Sequence, residues 1–173
     1  MRFLFNLIAL TVLFAGAVPA RQAPITIILV RHAEPATLPP RDPGLASSGA
    51  QRAQLLARML VDVPLTAVYS TQFARTRETA EPTATSHGLD VTVLTATSAE
   101  SHVRDVVERV RNLSPGSVVL VVGHSNTVPA VVEALGGGET PQLTENEFDS
   151  LFIVTLSVGK ATAFRLRYGE AHP

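Results

Sequence analysis

The sequence predicts an α/β fold: a three-layer sandwich with a mostly parallel sheet, helices on both faces and a terminal antiparallel hairpin. Three observations carry that expectation. Apolar runs rich in β-branched residues alternate with helical patterns along residues 25–135, the order that a parallel sheet with crossover helices requires. Two of the runs, residues 25–30 (ITIILV) and 118–122 (VVLVV), are apolar almost throughout, as strands covered on both faces are. The last two, 151–156 and 161–168, alternate in polarity around Val158-Gly159-Lys160, a tight turn between antiparallel neighbours.

Taken in order, residues 25–30 form the first strand, and the proline-rich stretch 35–43 excludes a regular element. Ser47 or Ser48 can cap a helix that runs to about Leu60, with Leu55, Leu56, Met59 and Leu60 on its apolar face. A second strand covers 65–69, and a helix from about Phe73 to Ser86 accommodates Pro82 near its end. Residues 91–94 form a strand and 100–112 a helix with valines at 103, 106, 107 and 110, closed by the turn Ser114-Pro115-Gly116. After strand 118–122, a helix over 127–135 ends at Gly136-Gly137-Gly138.

The chain has 173 residues, 46% hydrophobic and 17% charged, enough for one core and one domain over residues 21–173. Its net charge is −1 and its cationic residues are scattered, so no basic footprint for nucleic acid exists. The lack of cysteine excludes disulfides, thiolate metal sites and cysteine nucleophiles. At the N-terminus, Arg2 precedes an apolar run from Phe3 to Val18 and the small-residue site Val18-Pro19-Ala20. That order predicts a secretory signal peptide over 1–20, cut after Ala20 or at Ala15-Gly16-Ala17. The run falls short of the ~20 apolar residues of a membrane span; an uncleaved anchor is the alternative. The chain is therefore expected to be exported, periplasmic or extracellular, with no stable membrane association once the signal is removed.

Two histidines hold equivalent places: His32 follows the first strand and His124 follows strand 118–122. In open parallel sheets, ligands bind outside the carboxyl ends of the strands, so the two imidazoles can face one another. Arg31 adjoins His32, and Arg75 opens the helix after the second strand. Arginine presents a planar fork of donors matched to phosphate oxygens, and the helix that starts near Asn126 adds its positive end. Arg77 is expected to pair with glutamates on a solvated face. His87 and His102 are expected at the surface, and His172 in a tail.

These residues resemble a known family. Arg31-His32-Ala33-Glu34 is similar to the Arg-His-Gly-Glu signature of the histidine phosphatase (phosphoglycerate mutase-like) superfamily, residues 70–80 (STQFARTRETA) to its second block, and Gly123-His124-Ser125-Asn126 to its third. Leu45-Ala46-Ser47-Ser48-Gly49 matches a turn-and-helix element after the first block, and the length is that of the short bacterial phosphohistidine phosphatases. The resemblance implies that His32 is the nucleophile and that Arg31, Arg75 and His124 complete the phosphate pocket. It implies no cofactor. Its general acid falls in the stretch around Glu100, which could equally be a glutamate at a helix start capped by Ser98; Asp105 and Glu34 are the substitutes.

The expected activity is that of a metal-independent phosphatase acting on a small-molecule phosphate ester or a phosphorylated protein, with protonated His124 as an additional donor. Three alternatives remain open: a silent phospho-ligand-binding module, a zinc hydrolase with His32, Glu34 and His124 as ligands, and a phosphoglycerate mutase. The stretches 35–43 and 138–149 are expected to rim the pocket.

Overall fold

Valine and isoleucine lose rotamer freedom in helices and pack well on a pleated surface, and the runs that contain them become the centre of one sheet. The computed structural model describes residues 22–171; the expected signal segment, its expected cleavage sites and His172 lie outside the described residues. The elements are β1 (Ile25–Arg31), α1 (Ser47–Leu60), β2 (Ala67–Ser70), α2 (Ala74–Ser86), β3 (Val91–Val93), α3 (Ala99–Arg111), β4 (Val118–Gly123), α4 (Thr127–Ala134), β5 (Ser150–Ser157) and β6 (Lys160–Arg167).

The strands lie in the order β3-β2-β4-β1-β5-β6. The first four are mutually parallel, while β5 is antiparallel to β1 and to β6. Alternation along the central strands divides the core in two. Ile27, Leu29, Val119 and Val121 face Val106 and Val110 of α3 and Val128, Val131 and Val132 of α4. Ile28, Val30, Leu120 and Val122 face Leu56 and Leu60 of α1 and Ala80 and Ala84 of α2. Each such valine, leucine or isoleucine, fully buried, contributes about 1.5–3 kcal/mol, and a one-residue slip would exchange the two faces. The three-layer sandwich and its hairpin are those the sequence predicts.

Local departures have physical causes. Neither Ser47 nor Ser48 caps α1: Ala46 holds the cap position without a side-chain hydrogen bond, and its N–H donates to the Glu34 carbonyl at 2.9 Å. The helix docks so closely there that a Cβ on Gly49 would lie 2.2 Å from the same oxygen. The start of α2 is capped from a distance, with Asp42 Oδ1 accepting the Ala74 N–H at 2.9 Å. His102 is buried, not at the surface. It shares with Val106 and Val110 the stripe of α3 that faces the sheet.

Candidate active site

Strands β1 and β4 run side by side in register, Arg31 opposite Gly123, and the His32 N–H donates to the Gly123 carbonyl at 2.9 Å. The two following imidazoles therefore meet, with ring centroids 5.4 Å apart. Gly123 is required by crowding. A Cβ there would come within 2.9 Å of Thr127 Oγ1, the atom that accepts the His124 N–H at 3.0 Å and ties the strand end to α4.

His32 Nδ1 lies 2.8 Å from the Ala33 carbonyl. A carbonyl only accepts, so Nδ1 carries the proton and the lone pair sits on Nε2. Arg75 Nε donates to that Nε2 at 3.2 Å. Burial first, and then the charges of Arg31, His124 and Arg75, push the imidazole down to about 3 against the opposing pull of the Ala33 carbonyl. The ring is neutral at neutral pH. Thr79 on α2 fixes the approach, its Oγ1 accepting the Ala33 N–H at 2.9 Å and donating to the Arg75 carbonyl at 2.7 Å.

His124 is held differently. Its Nε2 is 3.1 Å from Thr71 Oγ1, which is 2.8 Å from Thr76 Oγ1. Burial, followed by Arg75, His102 and Arg31, lowers it to about 4. The expectation of a protonated His124 is not met here, because burial and the neighbouring Arg75, His102 and Arg31 disfavour a further cation.

The two arginines are anchored unequally. Arg31 Nη1 donates to the carbonyls of Thr144 (2.8 Å), Glu145 (2.8 Å) and Glu147 (3.2 Å), and its guanidinium packs 4.2 Å from the Phe148 ring centre. Its Nε is buried without a hydrogen-bond partner among the described residues. Arg75 lies over Phe73, 4.7 Å from the ring centre, with Nη1 3.9 Å from Asp42 Oδ1. Arg31, His32, Arg75 and His124 line one cavity of about 470 Å³ with Ser98 and Glu145.

None of the three acid candidates lines that cavity. Glu100 borders a separate groove with Val103, Val107 and Ala134. It sits in the first turn of a helix whose start Ser98 and Ser101 close as a reciprocal capping box. Asp105 lies in another hollow with Val93 and Arg109. Glu34 turns under α1 into a buried pair with Arg52, whose Nε reaches both carboxylate oxygens at 3.0 Å and whose Nη2 reaches one at 2.8 Å. That pairing also takes from the zinc reading its third ligand. Asp42, Thr71, Thr79 and Glu145 were not singled out in the sequence; the first and last come from the two stretches expected to rim the pocket.

A sequence profile of the histidine phosphatase superfamily (branch 1) matches residues 27–98, which include Arg31, His32 and Arg75 but not His124. No curated protein matches the chain. Among solved structures, the protein histidine phosphatase SixA complexed with tungstate is similar at 21% identity, with 82% of this chain and 96% of that one covered and a TM-score of 0.66. YhfR from Bacillus stearothermophilus follows at 17% identity, 86% and 98% coverage and a TM-score of 0.63. Phosphoglycerate mutase from Bacillus anthracis matches at 16% identity, 84% and 94% coverage and a TM-score of 0.65. These likenesses establish a shared fold.

Proposed function

From the match of residues 27–98 to the histidine phosphatase superfamily profile, we propose that this chain is a member of that superfamily and a metal-independent phosphatase that hydrolyses a phosphomonoester or a phosphohistidine through a covalent phosphohistidine at His32. The observation that carries this reading is the His32 tautomer. With Nδ1 committed to the Ala33 carbonyl, the lone pair is on Nε2, where it accepts the Arg75 Nε–H at 3.2 Å; attack on phosphorus uses that lone pair as the arginine turns to the phosphoryl oxygens.

Nε2 bonds to phosphorus as the P–O bond breaks, and water then hydrolyses the phosphohistidine. Arg75 and Arg31, both of which line the cavity, suit the equatorial oxygens, where charge spreads in the transition state. A phosphate dianion would also reverse the balance at His124, favouring its protonated, doubly donating form. The substrate is a small-molecule phosphate ester or a phosphorylated protein. Residues 1–20 are an export signal in this proposal, so mass spectrometry of the extracytoplasmic fraction should find a chain that begins near Arg21.

The test is turnover of p-nitrophenyl phosphate and of a phosphohistidine by the purified protein, with and without EDTA and vanadate. Activity that survives the chelator and is blocked by vanadate supports the proposal. Loss on EDTA treatment and recovery with zinc would replace it by the metal reading. Phosphate binding without turnover would leave a silent binding module.

A further inference from the structure

We propose that Glu145 is the acid and base of this site: its carboxyl group protonates the leaving oxygen and then accepts the proton of the attacking water. This rests on the phosphatase reading above. Among the described residues that line the His32 cavity, Glu145 is the one carboxylate, and the acids that sequence spacing favours are elsewhere or engaged. Asp42 spends its Oδ1 on the Ala74 N–H, and Glu34 is locked to Arg52.

The place of Glu145 suits the role. Its carboxylate lies 3.6 Å from Arg31 Nη2 and its side chain is 90% exposed, so it stands at the mouth of the cavity, where a leaving group departs. Its backbone is held firmly. The Glu145 carbonyl accepts from Arg31 Nη1 at 2.8 Å, and the Thr144 N–H donates to Glu147 Oε2 at 3.2 Å. Glu147 is itself paired with Arg165 and Arg167 of β6. An anchored peptide that carries an exposed carboxylate, held only by Arg31 Nη2 at 3.6 Å, can reach an oxygen that the pocket positions. A phosphoryl group bound by Arg31 would take the place of the carboxylate on the guanidinium and free it to turn towards the leaving oxygen.

The steps balance. As His32 Nε2 bonds to phosphorus, the P–O bond breaks, its electron pair goes to the leaving oxygen, and that oxygen takes the Glu145 proton. Water then bonds to phosphorus and gives its proton to the Glu145 carboxylate, while the electron pair of the N–P bond returns to Nε2.

Glu145→Gln removes the titratable oxygen and keeps the backbone grip on Arg31. Its kcat/KM should fall on the order of 10²-fold or more for an alkyl phosphate such as β-glycerophosphate. The value for p-nitrophenyl phosphate should change by only about twofold, because that leaving group departs without a proton. Slowed hydrolysis should add a burst of p-nitrophenol, and Glu145→Asp should restore part of the alkyl activity. An equal loss on both esters, or no loss on either, overturns the assignment while the nucleophile stands. If the unmodified protein turns over neither ester although it is folded and exported, the phosphatase reading itself fails, and this assignment with it.

Discussion

His32 and His124 occupy the same place on adjacent parallel strands, yet the fold constrains their protons in opposite ways. His32 meets the Ala33 carbonyl at 2.8 Å, a partner that only accepts, so its lone pair is fixed on the side that faces the cavity. His124 meets the Thr71 hydroxyl at 3.1 Å, which leads on to Thr76, and hydroxyls both donate and accept. One imidazole therefore has a fixed tautomer and the other an adjustable one. The proposed nucleophile needs its electron pair on the cavity side, where Arg75 Nε donates to it. A group that greets an arriving anion needs a proton that can be moved.

The largest effect separates the two roles. His32→Ala should abolish turnover and leave no trapped phosphoenzyme, since no other group stands at the end of β1 to form the covalent bond. His124→Ala should cost on the order of 10²-fold in kcat, as loss of one preorganised donor does, while phosphoenzyme still forms. Trapping with radiolabelled substrate at neutral pH measures both. A phosphoenzyme in the His32 variant, or none in the His124 variant, would exchange the assignments.

The same contrast explains what the sequence disclosed. Each histidine directly follows a strand, and a strand's end is a local property, so their convergence could be read from two apolar runs and a parallel sheet. Arg75, at the start of the next helix, follows by the same logic. The acid could not be read in that way. Glu100 stands within two residues of Ser98, which lines the cavity, but its helical phase turns it towards Val103 and Val107 and away from His32. Glu145 comes from a loop whose path depends on carbonyls gripping Arg31 and on arginines of β6, contacts spanning more than 100 residues on one side. His102, expected at the surface, is buried for a simpler reason: with Val106 and Val110 it falls on the stripe of α3 that faces the sheet.

A smaller effect concerns stability, and here the two imidazoles should behave alike. Their native values, about 3 and about 4, lie below the ordinary 6.5. Between those limits the unfolded chain binds protons that the native state refuses, so stability rises with pH in that window and falls as pH drops below about 6.5. The urea midpoint should therefore decrease from pH 7.5 to pH 5. His32→Gln and His124→Gln should each flatten that slope by a similar amount, because both native values lie below pH 5. A slope that neither substitution changes would mean that burial does not hold these rings neutral.

The smallest effect tests whether the hydroxyl partner matters to His124. Thr71→Val keeps the shape of a buried side chain and removes the oxygen that His124 Nε2 meets. Thr76 retains the Phe73 carbonyl at 2.8 Å, so besides the contacts of Thr71 with the Thr76 hydroxyl and, at 3.5 Å, with the Phe73 N–H, the loss is the hydrogen bond to His124. Such a bond is worth about 1 kcal/mol net, which corresponds to a rise of about fivefold in the inhibition constant for inorganic phosphate. The nucleophile should be untouched, because the proton on His32 Nδ1 is held by a backbone carbonyl that no side-chain substitution removes, and phosphoenzyme should form as before. Thr79→Val provides the matching change on the other side, since it deletes the acceptor of the Ala33 N–H and should slow phosphorylation more than it weakens phosphate binding. If both variants alter binding and phosphorylation in the same proportion, the two threonines serve only to pack α2 against the strand ends, and the division between a fixed and an adjustable imidazole loses its structural basis.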